Sequence, residues 1–390
     1  MQVFDGKECG VDFVIELPSF PERTFNIVDF GAVPGGLVKN TEAFARAMSA
    51  CAQAGGGKVV VPAGLWLTGP ITLQSNVNLH LEQGAVVRFS PQFEDYPLVK
   101  TSWEGKQRVR CQAPLNGVDL ENVAITGRGI FDGAGQAWRM VKKEKLTKTQ
   151  WRKLVASGGV VDKATKIWWP SRQAMNGAKT VAALEQSGTA TLEDFAQARE
   201  YLRPVLLSLV RCKKVLLDGP TFRNSPSWNL HPLLCEDVTI RNITAYNHWW
   251  AQNGDSLDLE SCRRVLVTDS FFNGGDDGIC LKSGKDREGR ERGVPTEDVL
   301  IQNCVVYQGH GGFVVGSEMS GGVRNVYVRD CTFINTDIGL RFKSARGRGG
   351  VVEKIYIERI NMLDIDKAAI SISLFYEQKQ RPKQEEIPPV

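Results

Sequence analysis

Four short polar clusters in the second half of the chain carry the residue types that acid–base chemistry needs: Asn253-Gly-Asp255, Gly275-Asp276-Asp277, Gly309-His310-Gly311 and Arg341-Phe-Lys343. Carboxylates a few ångströms apart cannot all ionise freely, so one keeps its proton near neutral pH while its neighbours stay charged. Glycoside hydrolysis uses that division: one group protonates the leaving oxygen and another activates water. Arg341 and Lys343 are two positions apart, so on a strand their side chains share a face. A basic pair beside carboxylates suits an anionic ligand, and Arg can grip a carboxylate through two bonds. His310 is suited to hold the protonation state of a neighbouring carboxyl or to touch substrate. The set points to a sugar acid at the reacting position.

These residues lie far apart in sequence, so something repetitive must bring them together. Each cluster adjoins a short apolar strand, and aligning the strands puts Asp258, Cys280, Val314 and Arg341 in one column, with steps of 22, 34 and 27 residues. Constant strands with variable steps read as a β-solenoid whose turns accept loop insertions. Stacked strands lie about 4.8 Å apart. In that register Asp255 and Asp277 are neighbours on adjacent coils, Asp276 stacks on His310, and Glu260, Lys282 and Lys343 share the row two positions after the column. A second repeat supports the first: Val215, Val238, Val265, Val299, Val326 and Ile355 open similar apolar triplets 23, 27, 34, 27 and 29 residues apart. Most are followed by another short strand, so each coil carries three. The fold class expected is all-β, a right-handed parallel β-helix.

In chain order, residues 1–24 read as an extended lead-in and residues 25–376 as a single β-helix domain. Asn40 is placed to cap a helix over about 40–54, with Ala43, Phe44, Ala47, Met48 and Cys51 on its apolar side. A lone amphipathic helix ahead of the strands would cover the open end of the solenoid. The pattern breaks over about 136–203, read as a partly helical insertion beside the coil, either a covering flap or a wall that narrows a cleft. Thr191 resembles a helix start there, with Leu192, Phe195 and Leu202 on one face. Residues 377–390 read as an irregular, charged tail with no visible cap, as in a truncated chain.

Composition removes several classes. A net charge of +4, with no basic run interleaved with aromatics, argues against nucleic acid. No apolar run is long enough to span a membrane, and the start Met1-Gln-Val-Phe-Asp-Gly6 is not a signal peptide. The nine cysteines include no C-x-x-C pair, so a zinc site is not expected; Cys212, Cys235 and Cys262, like Cys304 and Cys331, recur at matching positions as small buried fillers. Plainer readings stand beside the chemical ones. An Asp pair in a Gly-rich turn can be structural, and Arg341 and Lys343 can be a solvated strand face. Asp258 is expected to orient its neighbours by hydrogen bonding. His80, His231 and His248 read as structural, while Trp228, Trp249 and Trp250 either stack on sugars or pack. Lys285, Arg287, Arg290 and Arg292 form a basic loop that either meets a polyanion or is solvated.

The four clusters resemble, in order, the motif set of the polygalacturonase family, glycoside hydrolase family 28: Asn-Thr-Asp, Gly/Gln-Asp-Asp, Gly-His-Gly and Arg-x-Lys. The resemblance runs over about residues 25–376 and includes Asn224-Ser-Pro-Ser-Trp228-Asn-Leu-His231-Pro and Arg346-Gly-Arg-Gly-Gly350. Gly254 departs from the usual Thr, and Ser256-Leu257 from Gly-Phe/Ile. The resemblance implies a pectin-lyase-like β-helix that hydrolyses α-1,4-linked galacturonan with inversion, without metal or other cofactor. It implies Asp276 as general acid, Asp255 and Asp277 as activators of water, His310 as support for the acid, Arg341 and Lys343 as binders of galacturonate, and Asn253 as a residue that shapes the site. The insertion resembles those of bacterial exo-acting members, whose loops block one end of the cleft. The partner expected is an anionic pectic polysaccharide or oligogalacturonide, met by a monomer that is secreted or periplasmic. Three alternatives stay open: a rhamnogalacturonan hydrolase, a calcium-dependent pectate lyase, and a non-catalytic polysaccharide-binding β-helix.

Overall fold

A computed structural model describes residues 3–376, and the tail at 377–390 lies outside the described residues. The architecture is the expected right-handed parallel β-helix, wound from three strand ladders. One ladder is a nine-stranded parallel sheet. Its members include Leu207–Val210, Leu230–Leu233, Leu257–Glu260, Asp277–Lys282, Gly311–Val315, Ile338–Lys343 and Ala368–Ser373. The other two ladders merge where the long strands Val323–Thr336 and Val352–Leu363 run through both. Val215, Val238, Val265, Val299, Val326 and Ile355 are consecutive register partners, as the repeat predicts.

The residue before each of these is left-handed, with φ between 53° and 57° at Lys214, Asp237, Arg264, Asp298, Asn325 and Lys354. A left-handed non-glycine residue costs about 1–2 kcal/mol. Stacking the same bend on successive coils lets neighbours offset that cost: Arg264 pairs with Asp237 at 2.8 Å, and the Asn325 amide donates to Asp298. Each bend turns a Val or Ile inward, and Leu217, Ile240, Val267, Ile301 and Val328 follow it into a continuous core. Phe131 stacks on Phe89 and Phe222 at 6.3 and 5.4 Å in the same core. Burying each such side chain stabilises the coil by about 1.5–3 kcal/mol. The described cysteine side chains are unbridged and buried.

Helix α1 (Thr41–Gln53) buries the five residues expected of it against the first strands. Asn40 does not cap it through its side chain. The amide instead accepts from Val33 N at 2.7 Å and donates to the carbonyls of Val33, Val38 and Leu67, tying the preceding loop to the coil. The lead-in is not featureless either. Val3–Asp5 and Val14–Glu16 pair as an antiparallel hairpin, and Val11, Phe13 and Ile15 bury against Leu266 and Leu300 on the outer face of the coil. At the other end Ile370, Ile372 and Phe375 are exposed.

Two excursions leave the coil. The sequence gives no sign of the first, an antiparallel hairpin of Leu98–Trp103 and Lys106–Cys111. The second is the insertion, which contains helices α2 (Lys148–Ala156) and α3 (Arg172–Ser187), a small sheet of Val141–Lys142, Val160–Asp162 and Ile167–Trp169, and a 3-10 segment Glu193–Tyr201. Tyr96, Leu98, Cys111, Trp138, Phe195, Ala198 and Leu202 join the two excursions in a small second core. Leu192, expected on that buried face, is exposed. The segment is 3-10 rather than α and begins at Glu193, so Leu192 is its N-cap residue, ahead of the turns that bury Phe195 and Ala198. Among the described residues no helix is long and apolar enough to cross a membrane.

Candidate active site

The nine-stranded ladder sets the site. Asp258, Cys280, Val314 and Arg341 are register partners in that order, and Asp277 pairs with Gly311. Ser256 N donates to Asp277 O at 3.0 Å, which seats Asp255 beside Asp277 on the neighbouring coil. His310 N donates to Asp276 O at 2.7 Å. The glycines allow this closeness. Gly309 has φ 123°, and a Cβ there would sit 2.5 Å from the Asp276 carbonyl; one on Gly275 would sit 2.3 Å from the Ala251 carbonyl.

The expected cluster therefore forms. Asp255, Asp276 and Asp277 each offer a carboxylate oxygen within 4.8 Å of the others. His310 Nδ1 lies 3.1 Å from Asp276 Oδ1. Lys343 Nζ lies 2.6 Å from Asp277 Oδ2, and Arg341 Nη1 lies 3.4 Å from Asp277 Oδ1. Asp255 and Asp277 are buried, whereas the side chains of Asp276 and His310 are 20% and 38% exposed and so open to a ligand. The Tyr376 ring lies within 5.5 Å of the Arg341 guanidinium and 5.0 Å of Lys343 Nζ. Asn253 is left-handed, and its Oδ1 accepts from Arg203 Nη2 at 2.9 Å. Arg203, at the end of the insertion, also bonds the carbonyls of Gln252 and Pro226, so it fixes the turn that carries Asp255.

Beneath the cluster lies a buried network that the motifs do not contain. Lys282 Nζ is 2.9 Å from Glu318 Oε2, 3.5 Å from Asp258 Oδ1 and 4.8 Å from the Trp228 ring centroid. Lys282 shares the register row of Lys343, which is the sequence signal for it. Asp258 does not orient neighbours by hydrogen bonding: both of its oxygens are buried without a hydrogen-bond partner. Burial pushes its carboxyl up to about 8, against the pull of Lys282.

The same forces divide the carboxyls of the cluster. Burial, then the charges of Asp258, Asp276 and Asp277, hold Asp255 well above the ordinary carboxylate range, and Lys282 only partly opposes them. Burial also acts to raise Asp276, but the hydrogen bond and charge of His310, with Lys343 and Lys282, outweigh it and bring the group down to about 2. Burial and its carboxylate neighbours thus favour a proton on Asp255, whereas its partners favour the carboxylate form of Asp276. Three carboxylates this close could hold a cation. Here Lys343, Arg341 and Lys282 already supply positive charge to them.

Several residues fall into structural roles. Trp228 stacks on Trp103 at 4.7 Å and meets His231 edge-on, so it packs. His231 Nε2 lies 2.9 Å from Glu260, whose other oxygen is 2.6 Å from Arg292. The basic loop is a short helix, α4 (Asp286–Arg292), with Arg292 tied to Glu260 and Arg290 to the carbonyls of Gly347 and Arg348. A cleft of about 930 Å³ lies one step toward the N-terminus, between the 98–111 hairpin and α4, with Trp103, Arg110, His231 and Arg292 in its lining. No residue of the four polar clusters lines it, so the chemistry belongs to the carboxylate cluster and the cleft is its neighbour.

The geometry agrees with what the chain is similar to. The family model of glycosyl hydrolases family 28 matches residues 141–388. A probable polygalacturonase of Vitis vinifera is 30% identical over 341 residues, 86% of this chain and 60% of its own length. An exo-poly-alpha-D-galacturonosidase of Dickeya chrysanthemi is 28% identical over 362 residues, 91% of this chain and 57% of its own length. The crystal structure of a hyperthermoactive exopolygalacturonase from Thermotoga maritima matches with a TM-score of 0.80 at 35% identity, over 94% of this chain and 79% of that one. The chain thus spans about 60% of the length of these curated relatives. Its four clusters stand in family order on stacked coils and the family model covers more than half of it, so the chain belongs to glycosyl hydrolases family 28.

Proposed function

We propose that the chain hydrolyses α-1,4-linked galacturonan, acting from chain ends. The observation that carries this reading is the pairing of Asp276 with His310 at 3.1 Å beside the Asp255–Asp277 pair. Asp276 is the general acid: its carboxyl proton goes to the leaving oxygen, and His310, 3.1 Å away, holds the carboxylate that remains. Asp277, facing Lys343 and Arg341, takes the proton of the attacking water, with Asp255 as the second wall of the water site. Arg341 and Lys343 receive the galacturonate carboxylate. Exo action is supported by the insertion and the 98–111 hairpin, which pack together beside the coil, and by the names of two relatives. Family resemblance supports a chain that works outside the cytoplasm on pectic polysaccharide.

Inversion is part of the proposal and is the step most open to test. Inverting pairs usually stand about 6.5–9.5 Å apart to leave room for water. The oxygens here approach within 4.8 Å, so water must sit beside the cluster, against Asp277 and Asp255, instead of between separated walls. The lyase alternative is favoured by one observation, the cation-sized carboxylate triad. Reducing ends and ultraviolet absorbance followed together on polygalacturonate separate the two. Hydrolysis gives reducing ends without absorbance and is indifferent to chelator; exo action gives small products from the outset. Rising absorbance that chelator abolishes would replace hydrolysis with elimination.

A further inference from the structure

Lys145 lies in the insertion, in a 3-10 turn (Lys143–Lys145) just before α2. That turn is built to hold a position. Thr147 caps α2 with a reciprocal bond to Gln150, Val141 pairs with Trp168, and Leu146, Trp168 and Trp250 line one cavity. The insertion therefore docks on the loop 248–252, and Lys145 Nζ donates to the Trp249 carbonyl at 3.3 Å, with the Trp249 ring centroid at 5.9 Å. That loop leads directly into Asp255 and lies against Gly275: the Ala251 and His248 carbonyls stand where a Gly275 Cβ would be. Lys145 is thus fixed at the rim of the carboxylate cluster by an element outside the coil.

Its neighbours are unevenly matched. Arg341 and Lys343 both contact Asp277, and Lys282 contacts Glu318 and Asp258. Lys145 makes no ion-pair contact with a carboxylate among the described residues. An ammonium carries three donors, and the Trp249 carbonyl accepts from one. The charges that act on Lys145 are Asp276, which attracts it most, then Lys142, Asp337 and Glu144; partial burial opposes its charge. Asp337 already pairs with Lys367 at 2.7 Å.

We infer that Lys145 is a substrate-binding residue at the rim of the carboxylate cluster, which takes the carboxylate of a uronate unit from the insertion side. The inference rests on the uronate reading above and extends it: the four motifs bind one unit, and the insertion supplies a further carboxylate contact that the coil does not encode. A charge-assisted hydrogen bond to a half-buried ammonium selects the free acid over its methyl ester.

The test compares wild type, Lys145→Met and Lys145→Arg on trigalacturonate and on its methyl ester. Lys145→Met is expected to raise KM for the acid about tenfold or more while kcat stays within about twofold. The rise should be much smaller for the ester, and Lys145→Arg should restore most of the acid's affinity. A KM for the acid equal to wild type, or equal changes for acid and ester, would overturn the inference. If wild type cleaves no galacturonan, the functional reading has failed, and binding of trigalacturonate by calorimetry then decides on Lys145. Weaker binding by Lys145→Met supports it, and equal or absent binding by both proteins rejects it.

Discussion

The coil turns from Asn253 to Lys343 and the two excursions beside them, the 98–111 hairpin and the 136–203 insertion, solve the same problem in different ways. In the coil, neighbours in space are fixed by register: Asp277 pairs with Gly311, and Arg341 and Lys343 reach it from the strand beyond. Charges there close on one another, Lys343 on Asp277 and Lys282 on Glu318. In the excursions, neighbours are set by packing without period, and Lys145 makes no ion-pair contact with a carboxylate among the described residues. The difference teaches that the solenoid fixes the reacting groups while the additions are where recognition can vary.

The largest effect should come from the coil. Asp276→Asn is expected to lower kcat about 10²–10⁴-fold with little change in melting temperature, because its side chain is part-exposed. If this variant keeps its activity, the acid is elsewhere, and Asp255→Asn becomes the next variant to assay. Next, Trp103→Ala removes the hairpin from its stack, where Arg110 lies 3.9 Å and Trp228 4.7 Å from the Trp103 ring. A loss of about 3 kcal/mol is expected, confined to the hairpin: hydrogen exchange should quicken over 98–111 and stay slow over 257–282. Equal quickening in both would show that excursion and coil unfold as one unit.

A third, smaller effect is set by pH. The Asp258 carboxyl is raised in the fold from its ordinary value of 3.8 to about 8. Its contribution to stability is therefore fully present below the unfolded value and is lost as pH rises toward 8. Asp258→Asn has no such proton to lose, so its melting temperature should gain on wild type steadily across that window and level off above it. A constant difference would show that Asp258 does not titrate there. The smallest effect belongs to the coil's outer rim, where Arg359→Ala breaks an exposed pair with Asp330; no measurable change in melting temperature is expected.

This contrast also explains what the sequence makes legible. Asp255, Asp276, Asp277, His310, Arg341 and Lys343 converge because a repeat read from Val215 to Ile355 forces them to, and the buried face of α1 follows from its spacing. The 98–111 hairpin, α3 and the packing of Phe13 on Leu300 rest on contacts between segments that share no period, so nothing local announces them. Asn40 has a capping residue's identity but finds better partners in the Val33–Leu67 loop. Asp258 has the look of an orienting carboxylate, yet the coil buries both its oxygens short of a hydrogen bond, with Lys282 3.5 Å away. Arg203 and Lys145 act through an insertion whose docking is a tertiary fact.

The central claim is that Asp276 with His310 gives a proton to the leaving oxygen while Asp277 and Asp255 direct water to the opposite face of the sugar. Proton NMR of the product in the first minutes of hydrolysis of an oligogalacturonate tests it most directly. The account predicts that the new reducing end appears first as the β-anomer and only then equilibrates. The α-anomer appearing first would mean that one of these closely spaced carboxylates attacks the sugar itself, and would contradict the account.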